Sequence, residues 1–291
     1  MNMDTSALVR VTDREFVELA YKDSYLKYNE LQRTDRIWDA VWDRVTPQDL
    51  DRALTGLKSG KAGGPTGITY DILKALEDDN RRPLVLLMQQ CLDNRALPRA
   101  LNRSLLRALP KTEKGLSDLA LTRPVALMEA LGKLFDKILF NRIVKVLVAE
   151  DMLDLCQHGG IPGRSTLRPA RVVAETFEDA QQSGQELHFW SADFSKAFDT
   201  LEYWSQALSW RALGMPSEMA EMLMDMDRHG ETDVILGQGR TCSSVLGETG
   251  WFKSGRGVRQ GSIGGPIKWI VYMNFWLKYV QKKHCGEGYL M

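Results

Sequence analysis

Apolar residues recur three and four positions apart along much of the chain, and the elements this spacing predicts are mainly helical. Residues 1 to about 55 read as helix, with Tyr21, Tyr25 and Tyr28 in one stripe and Ile37 and Val41 in another. Lys58 to Gly67 (KSGKAGGPTG) breaks the pattern, because four glycines and a proline do not sit inside a regular element. Helices are expected from about Thr69 to Leu76 and from Leu84 to Asn94. Leu97 to Gly115 carries two periods at once. Arg99, Arg103 and Arg107 recur every four residues as on a helix face. Leu105, Arg107 and Leu109 alternate as in a strand, and Pro110 opens a turn. A helix is expected over Met128 to Val148, where Leu131, Leu134, Phe135, Ile138, Leu139 and Ile143 fall on one side.

His158 to Ser165 reads as a loop, and Thr166 to Gln182 as a second amphipathic helix. Leu187 to Asp193 (LHFWSAD) is the leading strand candidate, with helix resuming at Asp199. Asp233 to Leu236 and Val245 to Phe252 suggest a hairpin. Gly255 to Gly265 holds five glycines in eleven residues, and Pro266 then suits the start of a last helix to about Gln281. Strands and helices without regular βαβ alternation predict an α+β fold.

Composition narrows the function classes. Hydrophobic residues at 44% and charged residues at 26% are those of a globular chain, which excludes general disorder. Lys+Arg and Asp+Glu are both 38, so net charge points to no partner. The charge is uneven, however: Arg95 to Arg123 holds seven basic residues and two acidic ones. Cys91, Cys156, Cys242 and Cys285 are scattered, with no metal-binding or disulfide pattern, so a reducing compartment is expected. Charges throughout Met1 to Phe16 exclude a signal peptide there, and Ile267 to Val280 is too polar to span a bilayer. The expectation is a soluble, intracellular protein, nuclear or cytoplasmic.

The chemistry centres on Ala192-Asp193-Phe194-Ser195-Lys196-Ala197-Phe198-Asp199. A carboxylate at the end of an apolar strand is a fitting ligand for a hard cation such as Mg²⁺, which takes oxygen donors and substrate phosphates. Alone, a pair of aspartates at this spacing is a weak signal. Its neighbours make it strong. From about Val45 onward the chain resembles the reverse transcriptase domain of non-LTR (LINE-type) retrotransposons and, more loosely, group II intron reverse transcriptases. KSGKAGGPTGITYDILK is similar to the early K-A-P-G-P-D-G element, and LLRALPKTEKG to the strand and turn that end in proline and lysine. LTRPVALMEALGKLFDKILFNRI is similar to the R-P-I-x-L segment, and QHGGIPGRST to Q-x-G-F-x-x-G-R-S-T. SADFSKAFDTLE resembles motif A and GVRQGSIGGPIKW resembles motif B.

The resemblance implies a right-hand polymerase: fingers plus an incomplete palm, built on an antiparallel sheet with packed helices, and no thumb. It divides the chain into an N-terminal helical extension (1–55), fingers (56–185) and a partial palm (186–291). The implied activity is RNA-directed DNA polymerisation, a nucleotidyl transfer by two Mg²⁺ ions, with an RNA template, a DNA primer and dNTP as partners. In that scheme Asp193 and the backbone carbonyl of Phe194 bind metal. Lys111 and Arg123 grip the triphosphate, Phe198 packs under the sugar, and Gln260 and Gly261 lie beside the nascent base pair. Asp199 is expected to cap the next helix, and Arg164 and Arg259 to meet the nucleic-acid backbone.

The chain also departs from the family pattern. Thr66 stands where the family has aspartate, Gly160 where it has an aromatic residue, and Gly265 where it has serine. No aromatic-x-Asp-Asp follows motif B before Met291, so the expectation is a chain truncated before that pair and inactive alone. The alternatives are a catalytically dead RNA- or DNA-binding remnant of a retroelement, or a polypeptide that does not fold.

Overall fold

The computed structural model describes residues 36–112, 121–189, 191–236, 239–240 and 250–284. The tyrosine stripe at Tyr21, Tyr25 and Tyr28 lies outside the described residues. Trp38 is fully buried, and its indole N–H donates to the Leu213 carbonyl at 3.2 Å. A single 3-10 turn, Asp39–Val41, leads to helix α1, Pro47–Thr55. The start of α1 is legible in T-P-Q-D: Thr46 and Asp49 form a reciprocal capping box, with Pro47 at the first helical position.

Helices α2 (Tyr70–Lys74) and α3 (Asp78–Asp93) follow, and α3 begins one and a half turns ahead of the expected Leu84. The double period of Leu97 to Gly115 resolves into both of its readings in turn: a 3-10 turn at Arg99–Asn102, then strand β1 at Arg103–Pro110. Strand β2 is Thr122–Met128 and helix α4 is Ala130–Ala149. Helix α4 is the centre of the core. It buries Leu134, Phe135, Ile138, Leu139 and Ile143, as its pattern predicts, and also Asp136 and Phe140 on other sides. Burying a leucine or phenylalanine contributes about 1.5–3 kcal/mol each, so this helix anchors the fold.

Then come α5 (Leu167–Ser183), a one-turn α6 (Ala197–Thr200), α7 (Tyr203–Ala212) and α8 (Ser217–Arg228). Strands β3 (Glu231–Leu236), β4 (Gly239–Arg240) and β5 (Phe252–Lys253) precede α9, Gly265–His284. Thr232 pairs with Phe252, which supports the expected hairpin; residues 241–249 lie outside the described residues.

The α+β class is borne out, but the sheet is mixed rather than antiparallel. Its order is β2-β1-β3-β4, with β5 also on β3, and β1 runs parallel to β3. The cause is the connection. Between β1 and β3 the chain passes through five helices, and only a long crossover can bring two strands side by side in the same direction. A second correction concerns Leu187 to Asp193. Its described residues form no strand, because among the described residues no neighbour offers a ladder. Leu187 and Phe189 stay exposed, and Phe189 meets Phe177 of α5 at 5.6 Å. Helix α5 itself buries no residue. Among the described residues no helix is long and apolar enough to cross a membrane.

Candidate functional site

Motif A is a tight turn pinned by its aromatics. Asp193 is exposed at the end of the extended segment. The next residue, Phe194, stands edge-on to Trp269 at 5.7 Å and to Trp276 at 5.9 Å. Lys196 adopts a left-handed backbone (φ 54°), which turns the chain into α6 and brings Phe198 to 6.3 Å from Trp269. Phe194 and Phe198 thus pack on a small satellite core of Leu201, Val258, Tyr272 and Met273. Aromatic pairs of this geometry contribute about 0.5–1.5 kcal/mol beyond burial, enough to hold a turn that has no strand beneath it.

Motif B is strapped onto motif A and onto the sheet. The Val258 N–H donates to the Phe198 carbonyl at 2.8 Å, and the Gly257 N–H to the Leu201 carbonyl at 2.8 Å. On the other side the Ala126 N–H of β2 donates to the Gln260 carbonyl at 2.7 Å. Gly261 follows at φ 125°, and a Cβ there would lie 2.5 Å from the Ala126 carbonyl oxygen, so only glycine fits. The strap then enters α9 through Asp136. This buried carboxylate accepts from the Ser262 hydroxyl at 3.0 Å, the Ile263 N–H at 2.8 Å and the Gly264 N–H at 3.1 Å. It supplies the end of α9 with the acceptor that a side-chain cap normally provides.

Between strap and sheet lies a cleft of about 340 Å³, lined among others by Leu106, Pro124, Asp199, Thr232 and Gln260. The structure therefore brings Gln260 and Asp199 together. Asp199 does not cap the following helix: it sits inside α6, and α7 starts at Tyr203, with Glu202 before it and no side-chain cap. Lys111 and Arg123 meet elsewhere. The Lys111 N–H donates to the Leu121 carbonyl at 2.9 Å, and Arg123 is paired with Leu109. By strand alternation both exposed side chains share one face of the hairpin, with Arg107, opposite the face of Leu106 and Pro124. Lys114 lies outside the described residues.

Two arginines expected at nucleic acid are used internally. The Arg259 guanidinium donates to the Asn102 carbonyl at 3.1 Å, the Asn102 side-chain oxygen at 2.5 Å and the Met226 carbonyl at 3.1 Å. Arg164 donates to the carbonyls of Leu153, Asp154 and Gln157. Each is consumed by orphaned carbonyls at helix ends and loops, which a bare arginine in a motif does not reveal.

The departure at Thr66 has a structural counterpart. Its N–H and hydroxyl donate to the buried Glu129 carboxylate at 2.8 and 2.7 Å. Restoring aspartate, Thr66→Asp, would set a second carboxylate against the first and remove the hydroxyl donor. We expect it to destabilise the chain by about 1–3 kcal/mol, with Thr66→Ser nearly neutral, in urea unfolding followed by tryptophan fluorescence. Equal stability of all three proteins would refute the pairing.

Among the described residues no cluster of three histidine, cysteine or acidic side chains could hold an ion. Asp193 offers an exposed carboxylate as one oxygen donor.

Residues 109–290 match a family described as reverse transcriptase (RNA-dependent DNA polymerase). The chain is 26% identical over 234 residues to the Retrovirus-related Pol polyprotein from type-1 retrotransposable element R2 of Nasonia vitripennis, covering 79% of this chain and 20% of that protein. It is 25% identical over 251 residues to the type-2 element R2DM polyprotein of Drosophila melanogaster, covering 84% and 22%. To the RNA-directed DNA polymerase from mobile element jockey of Drosophila funebris it is 24% identical over 235 residues, covering 79% and 24%. The chain spans about a fifth to a quarter of these relatives' length. The motifs read from the sequence, the strap that joins two of them and the family match agree: this chain belongs to the reverse transcriptase (RNA-dependent DNA polymerase) family.

Proposed function

We propose that the chain is the fingers (56–185) and the first part of the palm (186–291) of a non-LTR retrotransposon reverse transcriptase, preceded by an N-terminal extension (1–55). Its substrates in this reading are an RNA template, a DNA primer and dNTP. The observation that carries the proposal is the strap: Val258 and Gln260 join the Asp193–Asp199 turn to β2 by backbone hydrogen bonds, and Gly257 bonds Leu201 just beyond the turn. A nucleotide site needs its base-side and sugar-side walls fixed relative to each other, and these backbone bonds link the two walls directly.

Asp193 and the Phe194 carbonyl are this chain's contribution to Mg²⁺ binding, and the family's chemistry is nucleotidyl transfer with a divalent metal. Lys111 and Arg123 offer fixed positive charge to a triphosphate. Phe198, held on Trp269, limits the space beneath the sugar. Gln260 and Gly261 form the wall against which the new base pair rests. With one acidic ligand at hand, the 291-residue polypeptide is proposed to bind substrates without polymerising.

The test combines salt-dependent binding of an RNA template annealed to a DNA primer with a primer-extension assay. Binding that weakens steeply with salt, without Mg²⁺-dependent extension, is expected. Extension that disappears in Asp193→Ala would overturn the proposed inactivity and keep the polymerase. Absence of binding at low salt would overturn the whole reading.

A further inference from the structure

Four lysines converge on one hollow at the edge of β2. Lys58 and Lys61 come from the glycine-rich turn after α1, and Lys133 and Lys137 from neighbouring turns of one face of α4. With Tyr70 and Gly261 they line a pocket of about 340 Å³ whose wall contains no carboxylate. Among the described residues, none of the four ammonium groups makes an ion pair or hydrogen bond. The Asp136 carboxylate behind Lys133 is engaged by Ser262, Ile263 and Gly264.

The hollow is kept open by small residues. A Cβ at Gly56 would come within 2.8 Å of the Lys137 Cε atom, so a side chain there would displace that lysine. Burial holds the Lys133 ammonium below the usual lysine range, and Asp136 pulls in the opposite direction. Four like charges around one small space repel each other, and an anion in their midst removes both the repulsion and part of the desolvation penalty. Lys133 and Lys137 are half-buried against the pocket, and Lys58 and Lys61 are exposed at its rim.

We propose that this hollow binds a phosphate of a nucleic-acid strand, at a site separate from Lys111 and Arg123. Two placements favour a strand over a free nucleotide. Gly261 forms part of the wall, next to the Gln260 carbonyl bonded to β2. Arg123, Val125 and Leu127 also follow one another on a single face of β2, so a backbone laid along that strand passes from the hairpin to the lysines. The inference rests on the reading of Gly261 as lying along the template.

The test is fluorescence anisotropy of a short single-stranded RNA on the 291-residue chain across salt, with dATP and inorganic tripolyphosphate as competitors. Two variants are compared: Lys133→Gln with Lys137→Gln on the helix, and Lys58→Gln with Lys61→Gln on the turn, which leaves the core untouched. Each is expected to weaken RNA binding about tenfold and to flatten the salt slope by about 1 per lysine, with dATP failing to displace RNA. Displacement by dATP or tripolyphosphate, with binding of that competitor lost in both variants, keeps the phosphate site and makes its ligand a free one. Wild-type affinity and slope in both variants overturn the site. RNA binding that depends on the four lysines but not on Lys111 or Arg123 separates a failure of the polymerase reading from a failure of this one.

Discussion

Lys268→Met is expected to lower the unfolding free energy by about 3–5 kcal/mol, the largest single effect in this chain. The Lys268 ammonium is buried in the core, 2.5 Å from the Asp227 carboxylate, and also donates to the Leu223 carbonyl at 2.9 Å. Only 1% of its side chain and 4% of that of Asp227 meet solvent. Removing the ammonium strands the carboxylate in the interior. Burial already pushes the Asp227 carboxyl up, with Lys268 the main influence against it. The double variant Lys268→Met with Asp227→Leu should recover most of the loss, because apolar residues of similar volume often replace a buried pair without penalty. Urea unfolding of the two single variants and the double decides it. A loss under about 1 kcal/mol in Lys268→Met would mean that the pair is not held as a buried ion pair.

Asp136→Ala is expected to lower stability by about 3 kcal/mol, from one buried and one half-buried N–H group left without an acceptor and a lost helix cap. Its second consequence distinguishes it from an ordinary core variant. The strap from Gly257 to Gly264 loses its anchor at one end, so primer–template binding should weaken more than the loss of folded protein explains. Asp136→Asn keeps one acceptor oxygen and should lose about half as much stability. Binding per folded molecule equal to wild type in Asp136→Ala would show that the strap holds its shape without this carboxylate.

Much of this architecture is legible in the sequence alone. The capping box at Thr46, the apolar stripe of α4 and the proline near the start of α9 each carry a local signal that needs no tertiary information. The glycines of motif B were legible too, and the structure supplies their reason in the Ala126 carbonyl pressed against Gly261. What stayed hidden depends on partners far along the chain. Alternation within Leu187 to Asp193 reports a two-sided surface, but a strand exists only when another strand lies beside it. The direction of pairing between β1 and β3 is likewise a property of the crossover.

The polar anchors were missed for a different reason. Lys268 in GPIKWIV is a lone charge in an apolar run, and Asp136 in GKLFDKILF is a carboxylate set among apolar residues with Lys133 and Lys137 beside it. Such a residue signals a buried partner. Neither run says which residue that partner is. Arg259 illustrates the converse: the motif drew attention to it, while its contacts with Asn102 and Met226 give it a purely internal use. The site residues divide the same way. Gln260 reached the cleft, whereas Lys111 and Arg123 gathered on the other face of the hairpin.

The parallel pairing of β1 with β3 also sets an order of events on the ribosome. Arg103 and its partner Glu231 are 128 residues apart, so the first strand emerges on the order of 10 s before the second at ordinary synthesis rates. During that interval the β1–β2 hairpin can close, but the other edge of β1 stands open to any nascent chain nearby. Arg103 and Arg107 lie along that strand, and cationic side chains on an open edge discourage pairing with strangers. When β3 arrives, Glu231 takes Arg103 at 3.0 Å and Arg99 at 2.6 Å. The Arg103 charge that guards the waiting edge is thus paired by the strand it was waiting for, and Arg107, opposite Ile235, stays exposed.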